Sequence, residues 1–180
     1  MGNKGDKDQS KPKTFVLSTL AVGNSNTGKT TLLQQYHGRI DLSQQQMYYV
    51  ISKTVLISKK DIPCKVKLWD SSGSERFNNV VVSRMKSTDG IMIVFDITNK
   101  ESFNDLPRYI EMIKGWHEIK KFPVVLIGNK SDLQREVSKD EAQKFAKKNG
   151  IKYFETSATT SDGINEPLDY LIGLAYKKKK

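Results

Sequence analysis

Residues 23 to 30 read Gly23-Asn24-Ser25-Asn26-Thr27-Gly28-Lys29-Thr30, a complete G-x-x-x-x-G-K-[ST] pattern. Backbone N–H groups of such a loop turn inward around phosphate oxygens. The helix that follows adds partial positive charge at its N-terminus. Lys29 can reach the β- and γ-phosphates, the Thr30 hydroxyl can ligate Mg²⁺, and Thr31 carries the loop into the helix. The chemistry so defined is binding of a nucleoside triphosphate. The pattern is silent on the base and on hydrolysis.

Three further groups follow in order. Trp69-Asp70-Ser71-Ser72-Gly73 closes an apolar run. An Asp at a strand's carboxyl end can hold Mg²⁺, and Gly73 lets a backbone N–H approach a γ-phosphate without a side-chain clash. Asn129-Lys130-Ser131-Asp132 ends another apolar run. The Asp132 carboxylate, as a buried acceptor, can take hydrogen bonds from guanine N1–H and the exocyclic amine, donors that adenine lacks. The Lys130 stem can lie along the base, and Asn129 would tie this loop to the phosphate loop. Thr156-Ser157-Ala158 follows the last apolar run, where the Ala158 N–H could meet guanine O6, with Ser157 and Thr159 on either side.

These residues need elements to carry them. Strands are expected at Phe15–Val22, Thr54–Ser58, Cys64–Asp70, Gly90–Phe95, Val124–Asn129 and Lys152–Glu155. Helices are expected at Lys29–His37, Glu101–Ile119, Lys139–Asn149 and Ile164–Tyr176, with a short one after Gly73. Lys60-Asp61 reads as a hairpin turn, making the second and third strands antiparallel. Ser138-x-x-Glu141 reads as a capping box, and Asn149-Gly150 as the stop of the same helix. Near-continuous apolar strands alternating with helices imply a mostly parallel sheet covered on both faces. Ligands of such sheets bind beyond the carboxyl ends of the strands, where all four groups fall.

The 180 residues carry 30 basic and 20 acidic side chains, a net charge of +10, with four of the positive charges at Lys177–Lys180. A solvated basic surface is the default reading, and those lysines could hold an anionic membrane. No stacking-aromatic motif of a nucleic-acid module accompanies the charge, so no nucleic acid is expected. The single cysteine, Cys64, excludes an intramolecular disulfide and a zinc cluster, and reads as a packed thiol. His37 and His117 stand far apart and read as surface residues, and Trp116 as packing. No apolar run approaches a membrane span and no signal peptide opens the chain, so a cytoplasmic protein is expected. Residues 1–13 read as a flexible arm, 14–176 as one domain and 177–180 as a basic tail.

Over Thr14 to Tyr176 the chain resembles a Ras-superfamily small GTPase. Trp69-Asp70-x-x-Gly73-x-Glu75-Arg76-Phe77, Phe95-Asp96-Ile97-Thr98 and Glu101-Ser102-Phe103 make it most similar to the Rab branch. The resemblance implies an α/β P-loop NTPase three-layer sandwich, with a six-stranded mostly parallel sheet, one antiparallel pair and five helices. It implies a GTP/GDP switch using Mg²⁺, held by Thr30 and Asp70. It implies a role in vesicle or membrane traffic, effectors and regulators docking on residues 40–52 and 70–86, and a monomer on the cytosolic side.

The chain departs from the family in its switch chemistry. The Mg²⁺-ligating Thr of the first switch should fall at Met47 or Tyr48, and the nearest hydroxyls are Ser43, Ser52 and Thr54. Ser74 stands where the family has a Gln that orients the attacking water; a serine cannot do so at that reach. Asn26 replaces a Gly, and Asn tolerates left-handed geometry best after Gly. Ile40 or Leu42 would have to stack on the base, and Thr159 replaces a common Lys. Of the aromatic effector patch only Trp69 matches; Ser52 and Arg84 occupy the other positions. With no cysteine after Cys64, no prenyl anchor is expected, and Gly2 has Asp6 where myristoylation wants Ser or Thr. Weak hydrolysis follows, with Lys29 and Ser74 left in the catalytic positions. The alternative is a hydrolysis-deficient pseudo-GTPase that keeps its nucleotide as a structural ligand.

Overall fold

A computed structural model describes residues 14–38, 48–57, 59–71 and 78–180. Six strands, β1 (Phe15–Val22), β2 (Tyr48–Ile57), β3 (Lys60–Asp70), β4 (Gly90–Asp96), β5 (Val124–Asn129) and β6 (Lys152–Thr156), form one sheet of order β2-β3-β1-β4-β5-β6. Only the β2–β3 pair is antiparallel. Its helical segments are α1 (Lys29–His37), α2 (Asn78–Ser87), α3 (Lys100–Asn104), α4 (Leu106–Lys114), α5 (Lys139–Asn149) and α6 (Asn165–Lys179). Segments α3 and α4 are successive parts of the one helix expected over Glu101–Ile119, so the five-helix α/β architecture stands.

Alternation along the central strands builds two cores. Leu17 and Ala21 of β1, Val66 and Leu68 of β3, and Met92 and Val94 of β4 face Leu32, Leu33, Leu171 and Ile172 of α1 and α6. Leu20 and Val22, with Ile91, Ile93 and Phe95, face Met85, Ile110, Ile113 and Ala146 on the other side. All seven β4 residues are buried, the mark of a strand covered on both faces. Parallel pairing sets the carboxyl ends of β1, β3, β4, β5 and β6 at one pole. The chain reverses its winding between β1 and β4, which opens a crevice there.

Several boundaries differ from expectation. Strand β2 begins at Tyr48, because Ile51, Val55 and Ile57 turn inward while Val50, Ser52 and Leu56 turn out. Lys53 interrupts that alternation in sequence, yet its Nζ meets Asp169 at 2.8 Å and lies over the Tyr36 ring. Lys60 and Asp61 are already in the ladder, opposite Ile57 and Leu56, so the hairpin turn falls two residues earlier. Lys59 takes φ 65°, as a tight hairpin loop requires. Asn99 accepts from the Glu101 and Ser102 amides to start α3. Asp105 and Pro107 then divide it from α4, since proline has no N–H for the preceding turn. The expected capping box is half made. Ser138 Oγ accepts from the Glu141 amide, but the Glu141 carboxylate pairs with Lys100. Gly150, at φ 70°, closes α5 as expected.

Candidate functional site

The phosphate-loop sequence lies between β1 and α1 in the crevice. Its turns demand the residues present. Gly23 (φ 142°) lies so close to β4 that a Cβ would collide with the Val94 carbonyl oxygen. At Gly28 (φ 87°) a Cβ would collide with the Asn129 amide. Asn26 takes φ 63°, the left-handed geometry expected of it. Ser25 and Asn26 form the exposed tip, while Thr27 is buried and its hydroxyl donates to the Asn24 carbonyl at 3.0 Å. Thr31 follows in the first turn of α1, half-buried.

Lys29 is 4 % exposed, and its ammonium donates to the Gly23 and Asn24 carbonyls at 2.9 and 2.6 Å. Burial pulls its pKa from 10.5 down to about 8, against the opposing pull of the Asp70 charge. A buried cation whose hydrogen bonds among the described residues go to carbonyl dipoles is a receptor for an anion. Thr30 Oγ1 donates to Asp70 Oδ2 at 2.5 Å. The other oxygen, Asp70 Oδ1, is buried and has no hydrogen-bond partner among the described residues. Burial raises the Asp70 pKa, and the Thr30 hydroxyl and the Lys29 charge lower it in part. A bare buried carboxylate oxygen beside a hydroxyl fits a hard divalent cation. Among the described residues no group of three or more His, Cys, Asp or Glu could hold a metal alone. The cation would therefore take its remaining ligands from phosphate and water, the usual habit of Mg²⁺.

Asn129 joins the loops. Its Nδ2 donates to the Thr27 carbonyl at 2.9 Å, while Oδ1 accepts from Thr156 Oγ1 at 3.0 Å and from the Ala158 amide at 3.1 Å. The tie expected between the two loops is therefore present. The Ala158 N–H, expected to face the base, is instead taken up by Asn129. Ser157 is buried, its amide bonded to the Asp162 carbonyl and its Oγ accepting from the Thr160 amide, and Thr159 is exposed. Asp132 was expected as a buried acceptor, but it lies exposed at the rim, so any burial of its carboxylate must come from the ligand itself. Lys130 takes φ 66° and its ammonium meets Asp96 Oδ2 at 2.5 Å, which holds the stem in one direction.

Gly73, Ser74, Met47 and residues 40–46 lie outside the described residues. Tyr48 belongs to the sheet, paired with Trp69, and Ser52 and Thr54 sit deeper in the ladder opposite Lys65 and Pro63. Ser52 and Thr54 therefore lie away from the Asp70 end of β3, and neither is placed as the first-switch hydroxyl. Trp69 is 8 % exposed, its N–H donating to Ser18 Oγ at 3.0 Å with Arg84 stacked 3.7 Å over the ring. It is a packing residue rather than an exposed aromatic of a docking patch.

Three supporting residues escaped the sequence reading. Asp105 Oδ2 accepts from Asn24 Nδ2 at 2.7 Å, the Tyr109 hydroxyl donates to Asn24 Oδ1 at 2.9 Å, and Asp96 holds Lys130. The Phe95-Asp96-Ile97-Thr98 run was the one available pointer to Asp96, and the other two carry no local pattern.

The Ras family model matches residues 18–177. The chain is 31 % identical to the Ras-related protein Rab-27B of Rattus norvegicus over 177 residues, covering 91 % of this chain and 81 % of the relative. It is 32 % identical to Rab-27A of Homo sapiens over 177 residues (91 % and 80 %). With Rab-4 of Dictyostelium discoideum the identity is 33 % over 157 residues (84 % and 75 %).

Proposed function

The chain belongs to the Ras family, as a divergent Rab-like small GTPase, and from that premise we propose that it binds GTP and GDP with Mg²⁺ as a switch in membrane traffic. The observation that carries this reading is the buried Lys29 ammonium, which donates to two backbone carbonyls and pairs with no carboxylate among the described residues. A β- or γ-phosphate supplies the missing anion. Thr30 and Asp70 would hold Mg²⁺, which would supply neutralisation of the phosphate charge. Asp132 accepts from the guanine edge, and Lys130, steadied by Asp96, lies along the ring. Asn129 keeps the two loops at fixed spacing, which preorganises the site before ligand arrives.

Hydrolysis transfers the γ-phosphoryl group to water, with GDP as the leaving group. Catalysis of this step is mostly positioning. Ser74 replaces the water-orienting Gln, so intrinsic turnover is slow and an external arginine would be the natural accelerator. Effectors and regulators read residues 40–52 and 70–86, whose conformation the γ-phosphate biases. Chromatography of the nucleotide released from denatured, freshly purified protein tests the reading. GDP or GTP is expected. An adenine nucleotide, or no nucleotide in protein that also fails to bind added GDP, would contradict it.

A further inference from the structure

Among the described residues, a cluster of positive charge gathers at the pole opposite the nucleotide crevice. Topology brings it there: α2, α4, α5 and α6 each return from the carboxyl end of one strand and finish at this pole. Each finishes on cations in its last turn, such as Lys86, Lys114, Lys148 and Lys178. Favourable interaction with the helix dipoles explains part of this pattern. It does not explain Lys120 and Lys121 in the loop before β5, or Lys152 opening β6. Among the described residues, acids meet these cations at three points only: Glu111 on Lys114, Glu118 on Lys121 and Asp89 on Lys179.

Side-chain contacts make the pole one continuous surface. The His117 ring stacks 3.7 Å from Phe122 and its Nε2 bonds the Met85 carbonyl at 2.7 Å, joining α2 to the loop before β5. Lys178 lies 4.3 Å over the same Phe122 ring, which joins α6. Lys179 reaches the Val16 carbonyl at 3.1 Å and Asp89 at 2.9 Å, which joins β1 and β4. The Lys120 stem lies 3.4 Å from where a Cβ on Gly150, at the end of α5, would stand. Lys177–Lys179 thus continue a helix anchored to the sheet. Trp116, expected as packing, is instead 47 % exposed beneath the Lys86 ammonium. Val16 is 61 % exposed beside the α6 anchor.

The geometry points to this pole as a docking face for an anionic lipid bilayer, with Trp116 at the headgroup level and the lysines over acidic headgroups. Exposed Trp and Val among long cationic stems match an interface that is apolar below and anionic above. A single-stranded nucleic acid would want several open aromatic faces for stacking, and here Phe122 is buried under Lys178 while Trp116 carries Lys86 over its ring. Docking this way turns the nucleotide crevice away from the lipid. The inference rests on charge layout and stands whether or not the nucleotide reading does.

The test is co-sedimentation of the full chain with phosphatidylcholine vesicles, with and without about 30 mol % phosphatidylserine, at about 0.1 M salt. Binding is expected only with phosphatidylserine. The emission should shift to the blue on binding, and Trp116→Phe should remove that shift, because Trp69 is already buried. Lys120→Glu with Lys148→Glu should lower partitioning by at least about fivefold per residue while nucleotide binding is unchanged. Equal binding to both vesicle types, or partitioning unaltered by the double change, overturns the proposal. So does tighter binding to a short RNA than to vesicles of equal total charge, which would assign the pole to nucleic acid.

Discussion

Titration of Lys29 offers a direct probe of the phosphate loop. Burial lowers its pKa from 10.5 to about 8 in the ligand-free protein, a cost of roughly 3 kcal/mol for keeping the ammonium charged. Between those two values the unfolded chain binds more protons at this position than the folded one. This group's contribution to stability therefore rises with pH across that window. A β- or γ-phosphate bound there would face the ammonium with negative charge and restore its pKa towards the ordinary range. Binding must then take up a proton from solution. With a pKa of about 8 the uptake is about 0.1 proton at pH 7, about 0.5 at pH 8 and about 0.75 at pH 8.5. Titration calorimetry of GDP binding in buffers of different ionisation enthalpy, at fixed Mg²⁺, measures this number directly. Uptake near zero at pH 8.5 would refute the claim that a buried, depressed Lys29 receives the phosphate.

Other predictions follow from the same geometry. Asn129→Ala strands the Thr27 carbonyl and the Ala158 amide; urea denaturation should show about 3 kcal/mol lost, and a loss below about 0.5 kcal/mol would show that the tie is unimportant. Tyr109→Phe removes one donor from Asn24; about 1 kcal/mol of stability should go, with nucleotide affinity reduced, and an unchanged affinity would free the loop from this support. Asp132→Asn should shift preference from guanine towards xanthine nucleotides, and unchanged GDP affinity would refute the assigned base contact. Ser74→Gln should speed single-turnover phosphate release, and equal rates would detach slow hydrolysis from that position.

The parts of this molecule written in contiguous residues were legible in its sequence. Gly23 to Thr30 with its flanking β1 and α1, the buried β5 leading to Asn129, and the Ser138-to-Gly150 helix each carry apolar period, cap and turn chemistry within a few residues. Legibility failed where a tertiary partner decides. Lys53 disguises β2 because its acceptor, Asp169, comes from α6. Asp105 ends one helical segment while its carboxylate serves Asn24 from across the crevice. The Ala158 amide looked free for a base, since only the folded chain brings Asn129 Oδ1 within 3.1 Å. Trp116 and Trp69 exchanged their expected roles for the same reason. Exposure depends on which neighbours arrive: Ser18 and Arg84 enclose Trp69, whereas Lys86 leaves the Trp116 ring 47 % exposed.

The central claim is that guanine nucleotide biases the conformation of residues 40–52 and 70–86. Hydrogen exchange of the Mg²⁺-loaded protein, compared with GDP and with a non-hydrolysable GTP analogue, tests it at residues 40–52 and 70–86. Greater protection of both stretches with the analogue is the expected result. Identical protection in the two states would contradict the switch, because a ligand pair without differential affinity shifts no equilibrium.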